Sequence, residues 1–184
     1  MGPSTIRPAL HQPTGPAHTR IYAYGAARGE KIVPNDDLVG PIDSSDEWIR
    51  QRTGIVTRTR ANAETTAIEL STDAAAEAIA RSGVDPADVD AVIVATISNP
   101  KQTPSVSAIV ADRVGANPAA AYDVNAACAG FAYAVAQADA LIRGGAAHYA
   151  VVVGAEKLSD VVDPTDRSIS FLLGDGAGAV VIGP

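Results

Sequence analysis

Cys128 is the only cysteine of the 184-residue chain, and it lies where a short apolar strand is predicted to lead into a long alanine-rich helix. Its neighbours are alanines, so a substrate carbonyl could approach the sulfur closely. The first turn of a helix leaves backbone N–H groups unpaired and carries the positive end of the helix dipole, which stabilises negative charge nearby. This position favours a nucleophile. A lone cysteine also serves commonly as a small apolar core residue, so position alone leaves both roles open.

Trp48 is the only tryptophan, and Arg50, Arg52 and Arg58 follow it closely. An indole beside guanidinium groups is a suitable platform for a purine ring with phosphates nearby. The combination also arises by chance, and Arg167, in a predicted loop, equally suits an ordinary salt bridge.

A glycine-rich run at residues 174–178 (GDGAG) superficially resembles a phosphate-binding loop. Such loops are followed by a helix, whereas the apolar residues 179–182 predict a strand. Close packing of backbone on backbone is therefore the favoured interpretation of these glycines, over nucleotide binding.

The composition excludes several classes of function. Apolar residues make up 47% of the chain, and the formal net charge is −7 with no basic run, which argues against nucleic acid or an anionic membrane as the main partner. One cysteine excludes an internal disulfide and a cysteine-based metal cluster, and predicts a reducing compartment. The three histidines, His11, His18 and His148, show no metal-ligand spacing, so no metal site is predicted.

No secretory signal or membrane span is predicted. The N-terminus lacks an apolar segment, and the apolar run over residues 126–142 is short for a span and is interrupted by Gln137 and Asp139. We therefore expect a cytoplasmic protein. Four prolines within the first sixteen residues predict a mobile extension over residues 1–20, followed by one half-domain over residues 21–184.

Short apolar strands alternate with amphipathic helices along the rest of the chain. Ser44 or Ser45 is expected to cap a first helix ending near Arg52. Thr66 with Glu69 forms a capping box that opens another helix, ending before Gly83. Further strands are predicted at residues 21–25, 31–33, 91–95, 120–124, 149–154, 169–172 and 177–182, and further helices at residues 106–114 and 128–143. This alternation predicts an α/β fold with a parallel-rich sheet between helical layers.

The acidic and basic residues of the helix that begins after Thr66 recur every fourth position. Glu69, Asp73, Glu77 and Arg81 therefore share one face, which we expect to be solvated.

Five segments occur together in one order: residues 43–49 (DSSDEWI), 52–55 (RTGI), 126–131 (AACAGF), 163–167 (DPTDR) and 174–178 (GDGAG). As a set they resemble β-ketoacyl-acyl-carrier-protein synthase III, the condensing enzyme that starts type II fatty acid synthesis. The resemblance covers about residues 21–184. It implies a thiolase-like fold, in which two similar αβ halves stack as αβαβα layers, with this chain as the N-terminal half.

The resemblance also implies roles for particular residues. Cys128 matches the nucleophile that carries the acyl group, with its own backbone N–H stabilising the oxyanion. Three further residues match positions at the adenine and phosphate end of coenzyme A, namely Trp48, Arg52 and Arg167. Ser44 matches a position near the adenine that is usually threonine. Thr103 matches a position lining the primer pocket, where some members carry phenylalanine, so longer or branched primers are expected to fit.

The implied reaction is the decarboxylative condensation of a short acyl-CoA with malonyl-acyl carrier protein, with acyl-CoA as substrate and no cofactor. The histidine and asparagine that polarise the malonyl thioester belong to the family's C-terminal half, and none of the three histidines here replaces them. We therefore expect a second half on the same or a companion chain, and activity only in the whole assembly. We also expect a homodimer. Residues 147–154 resemble the strand that pairs across the family's dimer interface, although an interior strand would have the same composition.

Other functions stay open from the sequence. A related thiolase-fold acyltransferase, for example in secondary metabolism, could use Cys128 for ester formation or long-chain condensation. The thiol could instead sense redox state, although no resolving cysteine is present. The chain could also be a non-catalytic half that binds acyl-CoA.

Overall fold

The computed structural model describes residues 14–184. Most of the predicted elements are present, within a few residues of the expected bounds. In chain order the elements are β1 (Arg20–Arg28), β2 (Lys31–Pro34), α1 (Asp36–Ile42), α2 (Asp46–Thr53), β3 (Thr57–Arg60), α3 (Ala67–Ser82), β4 (Val89–Ala95), α4 (Val106–Val114), β5 (Ala120–Val124), α5 (Gly130–Arg143), β6 (Tyr149–Lys157) and β7 (Asp175–Gly183).

Five strands form one mixed sheet in the order β1-β7-β6-β4-β5. The predicted parallel part is its centre and one edge, because β4 pairs in parallel with both β5 and β6. Strand β7 runs antiparallel to β6 and to β1. Strands β2 and β3 form a separate antiparallel ribbon.

Helices cover both faces of the sheet, as the continuous apolar strands predicted. On one face α3 and α4 pack over Val92, Val94 and Val151. On the other face α5 packs over Ile93 and Val152. The chain leaves β4 through α4 to reach β5, and then crosses back over β4 through α5 to reach β6. The loops after β4 and β5 therefore diverge at the carboxyl edge of the parallel strands, where α/β sheets typically bind ligands.

The predicted helix ends are largely confirmed. Thr66 and Glu69 make both hydrogen bonds of the capping box, and Ser45 accepts a hydrogen bond from the Trp48 backbone N–H at the start of α2. Gly83 ends α3 with φ of +72°, a left-handed conformation that glycine adopts without strain.

A third, smaller apolar core lies outside the main sheet. Leu38 and Ile42 of α1, Ile49 of α2 and Phe171 form it, with Trp48 packed against its side. Helix α1 was not predicted because Gly40 and Pro41 interrupt its helical pattern, and β3 was not predicted because its residues, TRTR, show no apolar alternation.

Two predicted strands differ in the structure. Residues 169–172 form turns rather than a strand, because Ser170 and Leu172 donate backbone hydrogen bonds to Asp166 and Ile169 within the same segment. Strand β6 is interior, with β7 and β4 on its two sides, so the predicted pairing of residues 147–154 across a dimer is wrong. Within residues 14–184, β5 and β1 are the edge strands of the main sheet.

The charged face predicted to be solvated is largely engaged in contacts. Glu69 forms an ion pair with Arg113 at 2.9 Å. Glu77 accepts a hydrogen bond of 2.7 Å from the Ala26 backbone N–H, and Arg81 donates to the Tyr24 carbonyl. Helix α3 thus covers backbone groups of the edge strand β1. Asp73 and Arg81 are exposed, as predicted, whereas Glu69 and Glu77 are half-buried.

The predicted N-terminal extension falls largely outside the described residues, which begin at Thr14. Residues 14–19 lie against α5, where the Thr19 hydroxyl donates a hydrogen bond of 2.6 Å to Asp139. Across the part of the chain that the structure describes, no helix has the length and apolar character needed to cross a bilayer.

Candidate active site

Cys128 lies between the end of β5 and the start of α5, in a single 3-10 turn over Ala127–Ala129. Cys128 is exposed, as a nucleophile must be to reach its substrate. Ala127 has a φ of +44°, a left-handed conformation that costs a residue with a Cβ about 1–2 kcal/mol. Because the strain falls on the residue directly before the thiol, the turn holds the thiol at the carboxyl edge of the sheet rather than in the core.

Small residues let α5 approach the sheet directly beneath this turn. Gly130, the first residue of α5, is buried, and a Cβ there would lie 3.0 Å from the Cβ of Ala95. Gly154 of β6 likewise faces Phe131, because a Cβ there would lie 3.2 Å from the Phe131 ring. The position of Cys128 is therefore set by close packing of the first turn of α5 on β4 and β6.

The loop after β4 lies beside the Cys128 turn at the carboxyl edge of the sheet. Glu156 of β6 accepts a hydrogen bond of 3.1 Å from the Ile97 backbone N–H, and Ser98 accepts one of 2.8 Å from the Lys157 N–H. The loop and the end of β5 enclose a cleft of about 260 Å³, lined by Thr96, Ile97, Asn99, Lys101, Gln102, Asp123 and Asn125. Thr103 lies exposed at the end of this loop, next to the cleft-lining Gln102.

Trp48, Arg52 and Arg167 form one surface cluster, which we call the tryptophan–arginine cluster. The Arg52 guanidinium lies 4.3 Å from the centre of the Trp48 ring, and that of Arg167 lies 5.8 Å from it. Phe171 packs edge-on against the same indole at 5.3 Å. The structure thus brings together three of the four residues predicted to bind coenzyme A.

Two tight turns present Arg167 to this cluster. Asp163 accepts hydrogen bonds from the backbone and hydroxyl of Thr165, and Asp166 accepts them from Ser168. These hydrogen bonds hold the pKa values of Asp163 and Asp166 below the usual range, so both carboxylates are ionised at neutral pH.

Ser44, the fourth predicted residue, lies in the turn between α1 and α2. Its backbone N–H donates to the Val39 carbonyl, while its Oγ is buried and has no hydrogen-bond partner among residues 14–184. Among residues 14–184, this hydroxyl therefore makes no hydrogen bond to the cluster.

The glycine-rich run at residues 174–178 opens β7, and no helix follows it, as predicted. Its Asp175 is buried, and the carboxylate accepts hydrogen bonds from Ala61 and Ser159. A Cβ at Gly174 would lie 2.9 Å from the Thr59 carbonyl oxygen. This run therefore joins β7 to the β2–β3 ribbon by close packing. Residues 14–184 also contain no group of three or more side chains that could hold a metal ion.

Comparison with known proteins connects these features. The model of the 3-oxoacyl-[acyl-carrier-protein (ACP)] synthase III family matches residues 122–184, which include Cys128 and Arg167. A β-ketoacyl-[acyl-carrier-protein] synthase III of Kocuria rhizophila is 56% identical over 168 residues, covering 91% of this chain and 47% of the relative. That of Streptomyces glaucescens is 49% identical, covering 98% of this chain and 53% of the relative. The chain is a homologue of β-ketoacyl-[acyl-carrier-protein] synthase III.

Solved structures of this synthase family confirm the predicted fold class. The priming β-ketosynthase of the R1128 polyketide biosynthetic pathway superposes with a TM-score of 0.91 at 40% identity, over 96% of this chain and 53% of that one. The 3-oxoacyl-[acyl-carrier-protein] synthase III of Aquifex aeolicus gives 0.87 at 42% identity, over 91% of this chain and 54% of that one. The chain has the thiolase-like α/β fold of a synthase III and spans about half the length of its relatives.

Sequence reasoning missed the polar residues that support these sites. Glu156, which holds the loop after β4, follows an apolar strand and resembles an ordinary surface carboxylate in the sequence. Arg58 was noted only as a charge near Trp48, yet it is 7% exposed and donates three hydrogen bonds to two segments, residues 33–35 and Phe171. No spacing in the sequence indicates these contacts, because their partners are distant along the chain.

Proposed function

We propose that the complete protein containing this chain is a β-ketoacyl-acyl-carrier-protein synthase III. It joins a short acyl-CoA primer to malonyl-acyl carrier protein and so starts fatty acid synthesis. The observation that carries the proposal is the exposed thiol of Cys128, held by the strained Ala127 at the start of α5, in a chain 56% identical to a synthase III.

The chemistry follows from the position of the thiol. Cys128 Sγ attacks the thioester carbonyl of the primer, the Cys128 backbone N–H stabilises the oxyanion, and coenzyme A leaves as the thiol. Malonyl-carrier protein then loses CO₂, and the resulting carbon nucleophile attacks the acyl-cysteine. A β-ketoacyl-carrier protein forms and the Cys128 thiol is released. Because no step changes an oxidation state, the reaction requires no redox cofactor.

The tryptophan–arginine cluster is proposed as the site for the nucleotide of coenzyme A. An indole face suits an adenine ring, and the two guanidinium groups suit its phosphates. Ser44 is proposed to border the adenine. Thr103 is proposed to line the primer pocket and, being smaller than phenylalanine, to admit branched primers such as isobutyryl-CoA.

We propose that a second half, which supplies the histidine and asparagine, covers α5. The outer face of this helix exposes Tyr133, which is 57% accessible, and a row of alanines at positions 132, 136 and 140. Exposed apolar surface of this kind is typical of an interface. We further propose a homodimer that acts in the cytoplasm, where the nucleophilic thiol stays reduced.

The intact mass of the full-length protein, before and after incubation with acetyl-CoA, tests the proposal. The expected result is a gain of one acetyl group, which the Cys128→Ala variant does not show. A wild-type protein that never gains the acetyl group would refute it, and would favour a non-catalytic half that binds acyl-CoA.

A second candidate is a priming ketosynthase of a polyketide pathway. The structural match to the priming β-ketosynthase of the R1128 pathway favours it. Both candidates form an acyl-Cys128, so the distinction lies in the second substrate. Condensation with the malonyl-loaded carrier protein of fatty acid synthesis would support the first candidate, and condensation only with a polyketide carrier protein would support the second.

A further inference from the structure

Arg58 is a buried cation without an ion-pair partner in the described part of the chain. Its guanidinium is 7% exposed and donates to the Val33 carbonyl at 3.1 Å, the Asn35 Oδ1 at 2.7 Å and the Phe171 carbonyl at 2.9 Å. Burial, and to a lesser extent the nearby Arg60, lower the pKa of Arg58. A buried charge that only neutral oxygens solvate is costly, so such an arrangement points to a specific role.

Asn35 extends this contact to both ends of helix α2. Its Nδ2 donates to Asp46 Oδ1 at 2.7 Å, at the first residue of the helix, and to the Ile55 carbonyl at 2.8 Å, just beyond the helix end. Asp46 is also paired with Arg50 at 2.7 Å. Because Trp48 and Arg52 lie on α2, the Asn35 side chain sets where these two residues stand.

Phe171 provides the contact with the other side of the cluster. Its carbonyl accepts from Arg58, and its ring packs edge-on against Trp48. Arg167 lies four residues earlier in the same segment of turns. The Arg58 guanidinium therefore joins two pieces of chain 113 residues apart, one carrying Trp48 and Arg52 and the other carrying Arg167.

We propose that Arg58 and Asn35 are positioning residues of the nucleotide site, which set the distance between Trp48 and Arg167. This inference rests on the proposed function of the tryptophan–arginine cluster in binding coenzyme A. A planar guanidinium places its donors on separate nitrogens, and here Nη1 reaches Val33 while Nη2 reaches Asn35 and Phe171. A lysine ammonium concentrates its donors on one nitrogen, and an apolar side chain has none. Neither residue is expected to contact the thioester or Cys128.

The test compares two acyl donors in the full-length protein. Acetyl-CoA carries the nucleotide, and S-acetyl-phosphopantetheine lacks it. Arg58→Met keeps an unbranched apolar stem but removes every donor, and we expect its KM for acetyl-CoA to rise about tenfold. The KM for S-acetyl-phosphopantetheine and the kcat with either donor should stay within twofold of wild type. Arg28→Met, which removes an exposed arginine at the end of β1, is the matched control.

A second variant separates positioning from simple destabilisation. Asn35→Asp still accepts from Arg58 and gives the buried charge a partner. It loses the donors to Asp46 and Ile55 and places a carboxylate against that of Asp46, so the link to α2 breaks. We expect the same selective rise in KM for acetyl-CoA even where Arg58→Met fails to fold. Equal effects on both donors, or no effect of Asn35→Asp, would overturn the positioning role.

Titration with coenzyme A provides a readout that is independent of turnover. The folded proteins are titrated, and binding is monitored by the part of the tryptophan emission that Trp48→Phe removes. Binding to wild type with about tenfold weaker binding to Asn35→Asp supports the inference. Equal binding to both refutes the inference alone. No binding to the wild type refutes the proposed nucleotide site itself, and the inference with it.

Discussion

Gly130 provides the sharpest test of how the fold holds the thiol. An alanine there would place a Cβ 3.0 Å from the Ala95 Cβ, whereas carbon atoms in contact prefer about 3.5–4.0 Å. The first turn of α5 must therefore retreat from β4 by a few tenths of an ångström. Cys128, two residues earlier, moves with it.

The expected energy of Gly130→Ala combines two opposing effects. Overpacking a buried contact costs about 1–3 kcal/mol, while alanine is better than glycine in a helix by about 0.5–1 kcal/mol. Gly130 has helical backbone angles but is the first residue of α5, so the second effect applies only in part. We expect a net loss of stability of about 1–2 kcal/mol.

The displacement should also slow the chemistry. A misplacement of about 1 Å can slow a reaction about 10²-fold, so a shift of a few tenths of an ångström should slow it less. We therefore expect the rate at which acetyl-CoA acylates Cys128, followed by intact mass, to fall about 3- to 10-fold in Gly130→Ala.

The second substitution Ala95→Gly removes the opposing methyl group and should restore most of that rate. Gly40→Ala is the control, because a Cβ at Gly40 meets no atom within 4 Å. Wild-type acylation by Gly130→Ala, or no recovery in the double variant, would refute the argument from packing.

Three further perturbations test the frame around the sites. Burial alone would raise the pKa of Glu69, but hydrogen bonds from Thr66 and Arg113 outweigh it and lower the pKa to about 2. Glu69→Ala should therefore cost about 1 kcal/mol near neutral pH, and this difference should shrink as the pH falls from about 4.3 toward 2 in chemical denaturation; a difference independent of pH would contradict it. Glu77→Ala should uncover the edge of β1 and promote self-association in size-exclusion chromatography, whereas the exposed Asp73→Ala should not. Asp175→Asn should cost about 2–3 kcal/mol in the free energy of unfolding, because the buried carboxylate loses acceptor capacity toward Ala61 and Ser159; an unchanged thermal midpoint would show that these hydrogen bonds are dispensable.

The sequence predicted the main sheet and its helices well, because their signals are local. Each signal depends only on residues close to it in the sequence. Examples are the capping box at Thr66, the apolar run of β4 and the glycine after α3. The junction around Cys128 was predicted for the same reason. The positive φ of Ala127 was not, since alanine carries no sign of a left-handed backbone.

The small core was predicted poorly because its signals are weak or distant. Helix α1 contains glycine and proline, and Phe171 reaches this core from a segment of turns over a hundred residues later. Trp48, Arg52 and Arg167 could be grouped only through the resemblance to a known family. Their contact in the structure depends on Arg58, whose partners no periodicity indicates.

The two candidate sites therefore differ in what supports them. Cys128 stands at the edge of a sheet whose strands and helices share a continuous apolar core, so its position follows from backbone packing at Gly130 and Gly154. The tryptophan–arginine cluster stands on the small core, which oriented hydrogen bonds from Arg58 and Asn35 join together. Packing tolerates little displacement, whereas a hydrogen-bonded junction between distant segments can adjust by small amounts. Such a division suits an enzyme whose reacting atom must be fixed within a fraction of an ångström while the distant end of its substrate is held more loosely.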